Sequence, residues 1–259
     1  MKVLICETHE AAINRTAELI ETQVRSRPRT VLGLATGGTM EPLYRRLSEL
    51  HRASLSFAGV VTFNLDEYVG LSPDHPASYH SYMQERLFDH IDIDPQNAHL
   101  PRGDAADPRA EADAYDRRIE EAGGIDLQLL GIGRNGHIGF NEPTSSLNSR
   151  TRIKTLTRST REANRPYFDA GTEPPAYAIT MGVGTILDAK HCLLLATGAS
   201  KAPAVAAMVE GPLSAACPAS ALQLHRKATV VLDQAAAAEL RLTDYYHHVH
   251  PGGKASPFD

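Results

Sequence analysis

Cysteine is scarce. Only Cys6, Cys192 and Cys217 occur in 259 residues. An odd number without a CxxC pair offers no disulfide framework and fits a reducing compartment, so a cytoplasmic setting is expected. Long apolar runs are missing too. None approaches the roughly 18 residues that span a bilayer, and the first six residues turn polar too soon for a signal peptide, so no membrane partner is expected. Positive charge is short. Lys and Arg number 26 against 31 Asp and Glu, for a formal charge of -5, which argues against a nucleic-acid partner. Cys and His do not cluster at zinc spacing. His247, His248 and His250 fall in a Gly/Pro-rich end, and no metal site is expected. Neither a P-loop nor a GxGxxG fingerprint is present, so neither ATP nor NAD is called for.

What is present is an alternation of short β-branched apolar runs and longer helical patterns. Runs at 30–35, 60–65, 125–130, 178–181, 192–196 and 228–232 read as strands covered on both faces. Helical spacing of apolar residues covers 10–25, 43–51, 110–122 and 201–210. The alternation predicts an α/β fold: one Rossmann-like domain with a mainly parallel sheet and helices on both faces. The chain shows no internal repeat and no linker. Residues 1–246 are expected to form the catalytic domain and 247–259 a loose tail.

Three segments carry chemistry. Thr36, Gly37, Gly38 and Thr39 end one strand and open a helix. Paired glycines let the backbone approach a ligand, and the free N–H groups of a helix start favour an anion, although a plain strand-to-helix turn has the same look. Asp66 and Glu67 end the next strand, where ligands collect in open α/β sheets. Neighbours in an extended segment face opposite ways, so one of the two can serve a given ligand as a general base. Residues 130–143 hold four glycines around Asn135 and His137, with Glu142 five residues beyond the histidine. Such a loop must approach something closely, and its imidazole exchanges protons near neutral pH, with Asn135 and Glu142 placed to orient it.

Together with Leu222-Gln223-Leu224-His225, these segments resemble the glucosamine-6-phosphate deaminase family, in order, from about residue 1 to about 242. The resemblance implies that glucosamine 6-phosphate is isomerised and deaminated to fructose 6-phosphate and ammonia without a cofactor. It implies Asp66 as the base between C2 and C1, His137 as the ring-opening group held by Asn135 and Glu142, and a phosphate site of Thr36, Gly37, Gly38, Thr39 and Lys201. The family's phosphate-binding Arg follows Ala-Asn-X. In this chain Ala163-Asn164 is followed at once by Arg165-Pro166, one residue early, and Arg165 is carried as a candidate ligand. Met40 stands where the family commonly has Pro, which should be tolerable at a first helical position. Asn135 stands where some members have Asp; it can accept a hydrogen bond from His137 without adding charge.

Ser145, Arg152, Lys154 and Thr155 match the family segment that binds N-acetylglucosamine 6-phosphate as an activator, usually in hexamers. Arg152 and Lys154 alternate on a strand and so share a side. Charges blunting a strand edge would read the same way. Two other readings stand beside the deaminase: a 6-phosphogluconolactonase-like hydrolase of the same fold superfamily, and a non-catalytic sugar-phosphate sensor.

Overall fold

The computed structural model describes residues 1–169 and 172–254. Among the described residues ten strands occur in chain order: β1 (Lys2–Cys6), β2 (Val31–Leu34), β3 (Val61–Asn64), β4 (Asp66–Tyr68), β5 (Ala98–His99), β6 (Leu127–Leu130), β7 (Arg152–Thr155), β8 (Tyr177–Thr180), β9 (Cys192–Ala196) and β10 (Ala228–Asp233). The helices are α1 (His9–Ser26), α2 (Glu41–Ala53), α3 (Tyr79–Arg86), α4 (Pro108–Glu121), α5 (Arg158–Asn164), α6 (Val183–Leu187), α7 (Ala202–Val209) and α8 (Thr243–Val249).

Seven strands form one sheet in the order β1-β10-β9-β6-β2-β3-β5, every pair parallel. The expected α/β fold with a mainly parallel sheet flanked by helices is therefore observed. The central strands β6, β9 and β10 are buried along their whole length, which is why they read as unbroken apolar runs. Helix α1 shows how a flanking element docks. Thr8 caps it, its hydroxyl accepting from the Ala11 N–H at 3.0 Å, and Ala12, Ile13, Thr16, Ala17, Ile20 and Val24 form its buried face at helical spacing.

The run at 178–181 takes a different place from the one its apolar pattern suggested. β8 lies outside the parallel sheet, at the centre of a small antiparallel sheet ordered β4-β8-β7. This second sheet has its own aromatic core of Tyr68, Phe140 and Phe168. The chain crosses between sheets at Leu65. Its N–H donates to Leu34 O at 3.0 Å, and its carbonyl accepts from Met181 N at 2.7 Å.

Residues 243–249 form α8, and Pro251–Gly253 forms a 3-10 turn packed on β1. Glu210 anchors them, accepting from Arg241 N, Leu242 N and the Tyr246 hydroxyl at 2.8, 3.0 and 3.1 Å. Gly253 lies so close to β1 that a Cβ there would sit 2.8 Å from Cys6 Sγ. Gly253 thus serves close packing at this end, while 255–259 lie outside the described residues.

The strand order fixes where a ligand can sit. From β2 the chain proceeds outward to β3 and β5, then returns to place β6 on the other side of β2. The loops after β2 and β6 diverge at that switch, opening a crevice at the strand ends.

Candidate active site

A cavity of about 680 Å³ fills this crevice, a size suited to a small ligand. Thr36, Gly37, Gly38, Thr39, Asp66, Asn135, His137 and Lys201 all line it, so segments far apart in sequence converge on one space.

The glycine loop closes one wall. Gly37 has φ +115°, a conformation open to glycine but strained for other residues. Its carbonyl accepts from Met40 N at 2.8 Å and from the Tyr82 hydroxyl at 3.0 Å. Met40 precedes α2 without a capping side chain. It is buried instead, its Cε lying 3.2 Å from where a Gly131 Cβ would stand. The side chain that replaces the family's Pro thus fills space beneath the β6 loop.

Asp66 and Glu67 part as the extended backbone requires. Asp66 lines the cavity and is 5% exposed. Glu67 lies outside the lining, where its carboxylate accepts from the N–H groups of Tyr68, Tyr79 and His80 at 2.8, 3.0 and 3.0 Å. Two of these donors are the first residues of α3, where free N–H groups favour an anion. Burial, reinforced by the Glu67 charge, pushes the Asp66 carboxyl up to about 8 against the opposing Phe140 N–H and Thr180 hydroxyl. Burial raises Glu67 as well, against its three backbone donors.

The loop after β6 is held tight by its own backbone. Gly133 N donates to His137 O at 2.9 Å, and Gly136 N to Gly133 O at 3.0 Å. A Cβ on Gly133 would lie 2.3 Å from the His137 ring, and one on Gly139 would meet Thr180 Oγ1 at 3.0 Å and Asp66 Oδ2 at 3.3 Å. The glycines therefore let the imidazole fold over its own loop and bring that loop against Asp66. His137 Nδ1 stands 3.4 Å from Glu142 Oε2, near enough for an ion pair when protonated.

Asn135 does not bond the imidazole as expected. Its Nδ2 donates to Glu142 Oε2 at 2.7 Å, and its Oδ1 accepts from the His137 backbone N–H at 3.3 Å. Its side chain thus spans the loop and fixes the carboxylate. Glu142 also accepts from Thr157 N and Oγ1 at 3.0 and 3.1 Å. Burial would raise its carboxyl, but His137, the Thr160 hydroxyl and the Thr157 N–H outweigh it and bring it down to about 2. Glu142 stays an anion behind the imidazole.

Lys201 enters from the short 3-10 turn before α7, its Nζ donating to Ile132 O at 2.6 Å. Arg165, carried as a candidate phosphate ligand, lies outside the cavity lining, and its guanidinium pairs with Glu173 at 3.2 Å; Arg161 holds the same carboxylate at 2.8 Å. With Pro166 next to it in a 3-10 turn, the residue that reaches the cavity is Tyr167. Sequence reasoning also passed over Arg134 and Tyr79, both lining residues. Arg134 stood in plain view inside the glycine segment, whereas Tyr79 carried no local signal.

The four candidate activator residues lie apart from this cavity. Arg152 and Lys154 alternate on β7, and Arg152 Nη1 donates to Asn141 Oδ1 at 2.6 Å. Ser145 is buried, and its hydroxyl has no partner among the described residues.

The chain as a whole is similar to known proteins. The family model described as glucosamine-6-phosphate isomerases/6-phosphogluconolactonase matches residues 6–231. A glucosamine-6-phosphate deaminase of Shewanella loihica is 56% identical over 96% of this chain and 93% of its own, and one of Thermoanaerobacter sp. is 48% identical over 92% and 94%. A solved structure described as a monomeric glucosamine-6-phosphate deaminase superposes with a TM-score of 0.90 at 49% identity, over 92% of this chain and all of that one. The 6-phosphogluconolactonase of Trypanosoma brucei, at 20% identity and a TM-score of 0.73, shares the fold alone. The chain belongs to the glucosamine-6-phosphate isomerase/6-phosphogluconolactonase family.

Proposed function

We infer that this chain is a glucosamine-6-phosphate deaminase, an enzyme that converts glucosamine 6-phosphate to fructose 6-phosphate and ammonia in amino-sugar breakdown. Identity of 56% to a relative with that name supports the reading, and the lactonases are far more distant. The observation that carries it is a buried carboxylate, Asp66, on the wall of the same cavity as His137, with Glu142 anionic behind the imidazole. Carbon-acid chemistry needs such a base. Lactone hydrolysis and mere sensing do not.

In this reading the glycine loop and Lys201 hold the phosphate, so the sugar is anchored away from the reacting carbons. His137 moves the proton that opens the ring, and Glu142 stabilises its charged form. Asp66 as carboxylate takes the C2 proton of the open aldose and returns it to C1. The resulting imine at C2 adds water and expels ammonia. Burial makes Asp66 a stronger base than an exposed Asp, and the substrate's ammonium favours its charged form. The Asp66→Asn variant is expected to lose deuterium exchange at C2 by at least about a thousandfold while still binding fructose 6-phosphate. Exchange at the wild-type rate would remove Asp66 from the reaction.

An activator site for N-acetylglucosamine 6-phosphate at Ser145, Arg152, Lys154 and Thr155 belongs to the same proposal. The paired cations on β7 and the unpartnered Ser145 hydroxyl support it. A 49% identical relative is described as monomeric, so the site is framed within one chain and needs no hexamer. Arg152→Ala should leave the maximal rate within about twofold and remove activation. A wild type indifferent to the acetylated sugar phosphate would rule the site out. A cytoplasmic location rests on the sparse free cysteines.

A further inference from the structure

We propose that Arg134 is the second cation of the phosphate subsite, taking the part that the displaced Arg165 leaves open. The inference rests on the deaminase reading for its substrate, but not for its geometry.

Position comes first. β6 lies between β2 and β9 in the parallel sheet. The loop after β6 therefore emerges between the glycine loop, which follows β2, and the turn bearing Lys201, which follows β9. Lys201 is bonded directly to that loop through the Ile132 carbonyl. Arg134 lies two residues further along and lines the cavity with Thr36, Gly38 and Lys201. An anion seated on the glycine loop thus has both cation-bearing segments on one side, the β6 loop next to it and the β9 turn beyond.

Charge is the second observation. Arg134 and Lys201 are the two cationic side chains that line the cavity among the described residues, against the carboxylates Asp66 and Glu162. The other nearby arginines are committed: Arg161 and Arg165 to Glu173, and Arg158 to Glu162. Arg134 makes no hydrogen bond or ion pair with the described residues, and it is exposed. Burial and then the Arg134 charge both weaken the Lys201 ammonium. Two like charges facing one space oppose each other until an anion enters, and a phosphate dianion suits such a pair.

The third observation is rigidity. Arg134 sits between Gly133, bonded to His137 O, and Asn135, bonded to Glu142. Its backbone is thus fixed by the catalytic loop itself, so one segment would set both the phosphate and the imidazole. A long planar donor at that point can grip two phosphate oxygens.

Inorganic phosphate titrated calorimetrically into the wild type, R134Q and R165Q tests the assignment, with steady-state kinetics alongside. Arg134→Gln should weaken phosphate binding about 10- to 100-fold and raise KM to match, with kcat within about threefold, because an anchor acts alike on substrate and transition state. Arg165→Gln should change both by less than about twofold. The reverse pattern would mean that Arg165 swings in on binding, and would overturn the proposal. Wild-type phosphate affinity in both variants would overturn it too, leaving the loop and Lys201 sufficient. If the wild type releases no ammonia from glucosamine 6-phosphate yet loses phosphate binding on Arg134→Gln, the deaminase reading fails and the assignment of Arg134 stands.

Discussion

Burying one carboxylate beside another makes Asp66 a stronger base and a scarcer anion at once. With its carboxyl raised to about 8, the free enzyme holds most of its Asp66 protonated at neutral pH. The rate constant kcat/KM, which reports the free enzyme, should therefore climb with pH toward a limb near 8. Glu67 contributes to that rise by its charge while its oxygens collect the N–H groups that start α3. Removing the charge lowers the Asp66 carboxyl. Glu67→Gln should shift the limb to lower pH, whereas loss of support for α3 alone would lower the rate without moving it. The substitution also leaves backbone donors poorly matched, at a cost of about 1–3 kcal/mol in stability. A pH-rate profile of the variant beside a urea melt separates the two effects.

At the scale of elements, the geometry of the candidate site comes from where two sheets meet. β3 belongs to the parallel sheet and β4 to the antiparallel one, and Leu65 bonds to both. Asp66 is the first residue past that junction, paired with Thr180 of β8. Gly139, at φ +52°, brings the histidine loop against the same carboxylate. Gly139→Ala adds about 1 kcal/mol of backbone strain and a methyl at 3.0 Å from Thr180 Oγ1 and 3.3 Å from Asp66 Oδ2. The variant should stay folded by circular dichroism and lose at least about tenfold in kcat, since small displacements of a base are costly. Unchanged kcat would show that the loop has slack at this point.

The same elements show what a sequence can reveal. β2, β6, β9 and β10 were legible because strands buried on both faces are apolar throughout. The glycine segments were legible because the positive φ of Gly37 and Gly139 strains any other residue. β1 was passed over because its six-residue start was weighed only as a leader. The run that became β8 read correctly as a strand, but apolar character does not say which sheet a strand joins. The place of the Arg165 guanidinium was not legible because a long side chain follows its partner. Glu173, eight residues on, captures it, and no local pattern encodes that pairing.

For the whole molecule, the site's carboxylates pull stability in opposite directions with pH. Glu142 is held down to about 2 in the folded chain, against about 4.3 in an unfolded one. Its contribution is fully present above the unfolded value and is lost as pH falls from about 4.3 toward 2. Asp66 has the reverse sign. Its folded value is raised, so the stability it adds is complete below about 4 and drains away as pH climbs toward 8. Between those values the unfolded chain carries the charge and the folded one resists it. Asp66→Asn removes that drain. The melting temperature of the variant, close to wild type at pH 4, should rise above it progressively as pH increases and level off past 8, with a gap worth a few kcal/mol at pH 9. Glu142→Gln should do the opposite at neutral pH and lose its disadvantage in acid. Thermal melts of Glu142→Gln from pH 2 to 7 and of Asp66→Asn from pH 4 to 9 check the signs together. A melting difference for Asp66→Asn that stays flat across that range would show that the carboxylate is solvated in the folded enzyme, and the burial that makes it a strong base would then be absent.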